Sequence, residues 1–413
     1  MNSSLAIKGG QPICSSGDWP IWPQFSKKIL TDFEKVLGSK RWTISSFYTD
    51  QETFDEKFCK SFADYNKTKY VLTTDHGSSA ILLALQALEV KKGHEVIIPG
   101  LTWVACATAV LRANAVPILV DIEASTQCIC PKAVEKAITP RTKAILVVHL
   151  YSCMANMDEL LLISHKYKIP LIEDCSQSHG ALWKDKKAGS MGTMGIFSMQ
   201  QGKILTSGEG GAIITNNKSL YDKIYLLKND GRKAGKLFLE EDGRVIGANF
   251  ALSEFQCALL CDGLEVLEEQ NLLRERNANY LSELLQEIPG IINLEPYPQN
   301  TQRSYYHFCV RYSKEFWHEK NMDKICDALT SELGTWIHPS YKPLTRHQLF
   351  QPKNDIRYEF LNLPDYSRIH LKECEEQAEK SILIHHSVFL AQREKMEKIY
   401  EAFKKVQKLS NEL

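Results

Sequence analysis

Short apolar runs and amphipathic stretches alternate along this chain from about residue 70 to residue 215. Tyr70-Val71-Leu72-Thr73-Thr74 has the β-branched and aromatic content of a strand and leads into a helical stretch over 78–88. The same rhythm repeats with strands predicted over 95–99, 116–122, 143–149 and 171–173. Helices are predicted between them, over 103–113, 131–137 and 157–167. Two further strands, 194–199 and 211–215, follow with little helix between them. Apolar strands separated by helices predict an α/β fold with a mostly parallel sheet covered on both faces, mixed where the last two strands join. Ligands of such sheets bind beyond the carboxyl ends of the strands. Thr74, His149, Asp174 and the loop from Ser198 to Lys203 fall at such ends.

A long helical pattern then runs from 253 to about 287, with Leu259, Leu260, Leu264 and Leu267 at helical spacing. Beyond it, a strand over 306–311 and helices over 323–333 and 391–409 predict a smaller α+β unit. The expected division is a large cofactor-binding domain with its N-terminal segment, 1–265, and a C-terminal α+β domain, 266–413. Residues 232–247 are charged and Gly-bearing and read as a mobile loop.

Composition narrows the class. The chain has 413 residues, 44% hydrophobic, enough for a large core and a smaller one. Fifty basic residues balance fifty acidic ones, which argues against a nucleic-acid or membrane-surface partner. No apolar run reaches the length needed to span a bilayer, and residues 1–12 lack the apolar core of a signal peptide. The twelve cysteines are irregularly spaced without a CxxC pair, so free thiols in a reducing cytoplasm are expected, and no metal site.

Lys203 is the residue around which a chemistry assembles. It lies between a short apolar strand and the turn Ser207-Gly208-Glu209-Gly210-Gly211, where small residues let a ligand approach the backbone. A desolvated lysine there can lose its proton and attack a carbonyl to form a Schiff base. Gly77-Ser78-Ser79-Ala80 opens a helix directly after a strand, where amides and hydroxyls favour a phosphate; plain N-capping by Ser78 is the alternative. Asp174, at a strand's end, can pair with a protonated ring nitrogen or cap a following helix. Gln177 can hydrogen-bond a phenolic oxygen of the same ring, Trp103 can stack on it or belong to the core, and Ser198 is placed to bind the phosphate. A phosphate cradle, a stacking aromatic, a carboxylate and a lysine together describe a site for pyridoxal 5′-phosphate.

With those parts in view, the chain resembles the DegT/DnrJ/EryC1/StrS family of sugar aminotransferases along nearly its whole length. The most specific marks are Glu173-Asp174-Cys175-Ser176-Gln177, the run from Lys203 to Gly211, and Gly247-Ala248-Asn249-Phe250-Ala251-Leu252-Ser253-Glu254-Phe255-Gln256. The resemblance implies a fold-type I pyridoxal-phosphate transferase and a homodimer with shared active sites, in which Asn249 reaches the phosphate of the neighbouring subunit. Ser152-Cys153-Met154-Ala155-Asn156-Met157-Asp158, Gln200-Gln201-Gly202-Lys203, His338-Pro339-Ser340-Tyr341 and Ile384-His385-His386 are similar to the cyclitol branch of that family. That likeness implies L-glutamine or L-glutamate as donor and a keto-cyclitol such as scyllo-inosose or 2-deoxy-scyllo-inosose as acceptor, as in aminoglycoside antibiotic biosynthesis. His149, His338, Tyr341, His385 and His386 are the candidate acceptor contacts, with structural roles as the alternative for each histidine. A keto sugar nucleotide acceptor is the nearest rival, and a pyridoxal-phosphate-binding regulator without turnover is a further one. The lysine argues against the family's dehydratases, which carry histidine there. Asp75-His76 departs from the small or asparagine residue common in relatives.

Overall fold

The computed structural model describes residues 4–44, 51–234, 240–241 and 244–413. Its centre is a seven-stranded sheet: β1 (Tyr70–Thr74), β2 (Glu95–Pro99), β3 (Val116–Val120), β4 (Thr142–Val148), β5 (Leu171–Asp174), β6 (Met194–Ser198) and β7 (Gly211–Thr215). The order across the sheet is β1-β7-β6-β5-β4-β2-β3. The pairs β2–β3, β2–β4, β4–β5 and β5–β6 are parallel. Only β7 runs against its neighbours β1 and β6, which is the mixed edge expected where no crossover helix separates two strands. Val96, Ile97, Ile98, Ala144, Ile145 and Leu146 are fully buried in the middle of the sheet, each large side chain stabilising it by roughly 1.5–3 kcal/mol.

A second sheet, β8 (Ile291–Asn293), β9 (His307–Tyr312), β10 (Ile337–Pro339) and β11 (Ser381–His385), is antiparallel throughout in the order β8-β9-β11-β10. The helix Glu254–Leu285 links the two. Ser253 and Gln256 close its start as a reciprocal capping box. Its Cys257, Leu260 and Leu267 pack in the first core, its Ala278, Leu281 and Leu285 in the second. Position 265 falls inside this helix.

Two segments pack away from their place in the sequence. Leu5, Cys14 and Trp19, which the reading grouped with the large unit, are buried in the second core. They are held because the Ile13 and Cys14 amides donate to the Glu332 carbonyl and the Trp19 indole donates to that of Leu333. Conversely, Leu344, Phe350, Leu361, Tyr366 and Leu371 return to the first core. Asp121 accepts from the amides of Glu373 and Cys374, and Tyr366 donates to the carbonyl of Pro117. This return is built from single 3₁₀ turns, so it leaves no hydrophobic period to read. Of the expected mobile loop over 232–247, residues 235–239 and 242–243 lie outside the described residues. Arg232–Lys233 pairs antiparallel with Glu240–Glu241.

All twelve cysteines are free. Among the described residues no helix is long and apolar enough to cross a membrane.

Candidate active site

The carboxyl ends of β4, β5 and β6 converge on a cavity of about 570 Å³. At one end stands the helix Gly77–Ala87, which follows β1 after a two-residue turn. Its first residue packs against the end of β6 so closely that a Cβ at 77 would lie 2.6 Å from the Ser198 Cβ. Gly211, opposite, would meet the His76 backbone at 2.6 Å. Glycine at both positions therefore lets Ser198 and the helix start share one rim. No side chain caps this helix, and His76 rather than Ser78 is its N-cap, so plain capping does not account for Ser78. Gly77, Ser78 and Ser198 all line the cavity, with first-turn amides unclaimed by a cap. Ser79, the companion in the sequence reading, is buried in the helix and is not part of the lining.

Asp174 ends β5 at the cavity floor, and no helix follows it. Its carboxylate accepts from the Ser176 amide at 3.0 Å and from the Cys106 thiol at 3.4 Å. Gln177 is fixed two ways: its carbonyl accepts from the Tyr151 amide, and its amide donates to the Tyr341 hydroxyl. Trp103 is not a core aromatic. It is 47% exposed on the cavity wall, its ring 5.9 Å from that of Tyr341.

Lys203 projects into the same cavity, with Nζ 4.0 Å over the face of Tyr306. Among the described residues it makes no ion pair. Burial pushes its amine down to about 8, against the opposing pull of the Asp174 charge. The loop that carries it is tied by its carbonyls. Trp22 donates its indole N–H to Gln201, and His385 and His386 both direct Nε2 at the carbonyl of Gly202, at 3.2 and 3.0 Å. His385 and His386, expected against the acceptor, thus hold the lysine loop from behind and do not line the cavity. His149 is likewise away from it. Fully buried, it meets Glu173 at 3.1 Å through Nε2 and accepts from the Ala155 amide through Nδ1. His149, Glu173 and Cys175 bring their ligand atoms within 4.8 Å of one another. The Glu173 oxygens are occupied there by the amides of Gly189, Met191 and Gly192, which offset the cost of burying a carboxylate.

His338 and Tyr341 do line the cavity, joined by residues the sequence reading missed: His307 from the second sheet, Tyr306 and Trp336 just ahead of its strands, and His76 and Glu209 near the helix start. Asn249 lies outside the lining on the exposed surface, bridged to Asn229, and the Phe250 carbonyl beside it accepts from the Asp75 amide.

The parts present fit pyridoxal phosphate. An uncapped helix start faces a serine for the phosphate, an exposed indole face stands on the wall, a carboxylate on the floor, and an unpaired amine opposite.

Comparison with known proteins agrees. The description DegT/DnrJ/EryC1/StrS aminotransferase family matches residues 23–401. The chain is 41% identical to an L-glutamine:2-deoxy-scyllo-inosose aminotransferase of Micromonospora echinospora, over 97% of each chain. It is 40% identical to an L-glutamine:scyllo-inosose aminotransferase of Streptomyces griseus, over 98% of each. Among solved structures it is similar to 3-amino-5-hydroxybenzoic acid synthase, with TM-score 0.83 and 27% identity over 96% of this chain and 99% of that one. NtdA of Bacillus subtilis with bound cofactor PMP gives TM-score 0.75 and 26% identity, over 92% of this chain and 82% of that one.

Proposed function

Because this chain belongs to the DegT/DnrJ/EryC1/StrS aminotransferase family, we propose that it moves the amino group of L-glutamine or L-glutamate onto a keto-cyclitol, scyllo-inosose or 2-deoxy-scyllo-inosose. It is a pyridoxal-phosphate-dependent enzyme. The observation that carries the reading is an unpaired, desolvated Lys203 amine in one cavity with the Asp174 carboxylate. The choice of donor and acceptor is supported by the names of the full-length relatives.

Bound pyridoxal phosphate supplies an electron sink for the carbon that loses its proton. The chain's own residues do the rest. The Gly77 and Ser78 amides with the Ser78 and Ser198 hydroxyls would hold the phosphate, and Trp103 would lie against the ring. The Asp174 carboxylate would hold a proton on the ring nitrogen, while Gln177 would orient the phenolic oxygen. Lys203 would hold the cofactor through its neutral amine and supply the base. Its Nζ takes the proton from the donor α-carbon, and in the second half of the cycle it delivers one to the acceptor carbon. A lysine poised near 8 exchanges protons readily at neutral pH, which is what the role requires.

The working form in this reading is a cytoplasmic homodimer in which Asn249 completes the partner's phosphate site. Its support is that Asn249 is exposed and lies outside the lining of its own chain's cavity. Purified protein given L-glutamine with the two cyclitol ketones and a panel of keto sugar nucleotides tests the assignment. Amination of the cyclitol ketones is expected, and amination of sugar nucleotides alone would overturn it.

A further inference from the structure

The cavity has a second end, built from strands far along the chain. β9 contributes His307 next to Tyr306, and β10 contributes His338 next to Trp336. The two imidazoles lie 4.9 Å apart, edge to face. Both are more than nine-tenths buried, and each keeps a ring nitrogen without a hydrogen-bond partner: Nδ1 of His307 and Nε2 of His338. Burial holds both rings neutral, their affinity for a proton lowered from the ordinary histidine value. Each of these nitrogens is an orphaned, enclosed polar atom on a residue that lines the cavity, and a ligand that bonds it would satisfy it.

The tautomer of His338 can be read from its neighbours. Its Nδ1 lies 3.0 Å from the Pro339 carbonyl, which only accepts, so Nδ1 carries the hydrogen. Nε2 is then a lone pair that needs a donor. A hydroxyl provides one; an ionised phosphate oxygen does not. Trp336 stacks on the His338 ring at 4.1 Å and 20°, and is 66% exposed. It offers a flat apolar face, which suits the C–H face of a ring whose hydroxyls lie around its edge. Lys203 is the one Lys or Arg in the lining among the described residues, so this end holds no cation for a diphosphate.

We propose that His338 and His307, with Trp336 as the flat wall, form the subsite that reads the hydroxyls of an uncharged polyhydroxylated ring ketone and so set acceptor specificity. The proposal rests on the acceptor reading given above and assigns it to residues. His338 Nε2 accepts from one ring hydroxyl and His307 Nδ1 bonds a second, which leaves the ring carbonyl toward Lys203.

The test uses the holoenzyme and two readouts. Binding of scyllo-inositol, a polyol without a carbonyl, is measured by calorimetry, and KM is measured for scyllo-inosose and for L-glutamine. His338→Phe and His307→Phe should each weaken polyol binding and raise the ketone KM by about tenfold, one neutral hydrogen bond each, with a much smaller change in glutamine KM. Trp336→Ala, on an exposed side chain that leaves folding intact, should do the same and stands in if a histidine variant fails to fold. Native binding and native ketone KM in folded His338→Phe or in Trp336→Ala would overturn the proposal while leaving the enzyme a cyclitol aminotransferase. A wild-type enzyme that aminates a keto sugar nucleotide and neither cyclitol ketone would instead overturn the acceptor reading itself.

Discussion

The Asp174 charge acts on the Lys203 amine. Desolvation lowers the amine toward about 8, and the Asp174 charge holds it from falling further. Capture of pyridoxal phosphate by the apoprotein needs the neutral amine, so its rate should rise with pH and level off above about 8; stopped-flow absorbance at the band of the lysine-bound cofactor follows it. In Asp174→Asn the opposing charge is gone, so that midpoint should move to lower pH. Turnover should nevertheless fall by on the order of a hundredfold or more, since an unprotonated ring is a poor electron sink. An unshifted midpoint would mean the two groups do not interact. At this scale the sequence was most readable where chemistry is local: Lys203 beside its glycine turn, Asp174 at the end of β5, Gln177 a turn later. His149, His385 and His386 were not separable from contacts to a ligand, because whether an imidazole faces a cavity or a backbone carbonyl depends on neighbours more than 180 residues away for the latter two.

The helix Gly77–Ala87 and the strands β6 and β7 show the same dependence one level up. Their existence was legible from apolar runs of the right length, and so was the antiparallel turn at β7. Their mutual fit was not. The glycine at 77 is required by the Ser198 side chain across the rim. Gly77→Ala should push the helix start away from β6, destabilise the fold by about 1–3 kcal/mol, and weaken cofactor binding, measurable by thermal melting and by titration with pyridoxal phosphate. Native affinity in that variant would contradict the cradle. Tyr306, His307 and Trp336 escaped the reading because they sit at or just before strand starts, where the local pattern says nothing of which side chains face a ligand. Nothing in their neighbourhood announces a cavity supplied largely by another sheet.

At the scale of the whole molecule, five neutral histidines, four of them buried and His385 half-buried, set the acid limit. His179 and His385 are held down to about 3 and about 4 by burial, and His307, His338 and His386 are lowered as well. Their folded values lie below the unfolded one near about 6.5. Between those limits the unfolded chain binds more protons, so stability is full above about pH 6.5 and falls as pH drops from there toward about 4. Chemical denaturation across that range should show the loss, and replacing His385 with Gln should flatten it. Assembly gives a second prediction. Lys203→Ala and Asn249→Ala chains, each inactive alone, should regain activity on subunit exchange, because one site of the mixed dimer then keeps both native groups. Proven exchange without recovery would place Asn249 outside the partner's site. The most direct measurement of the central claim is mass spectrometry of the product formed from amino-labelled L-glutamine and 2-deoxy-scyllo-inosose. The native protein should yield an aminocyclitol carrying the label and Lys203→Ala none; unlabelled ketone recovered unchanged from the native enzyme loaded with pyridoxal phosphate would contradict the account.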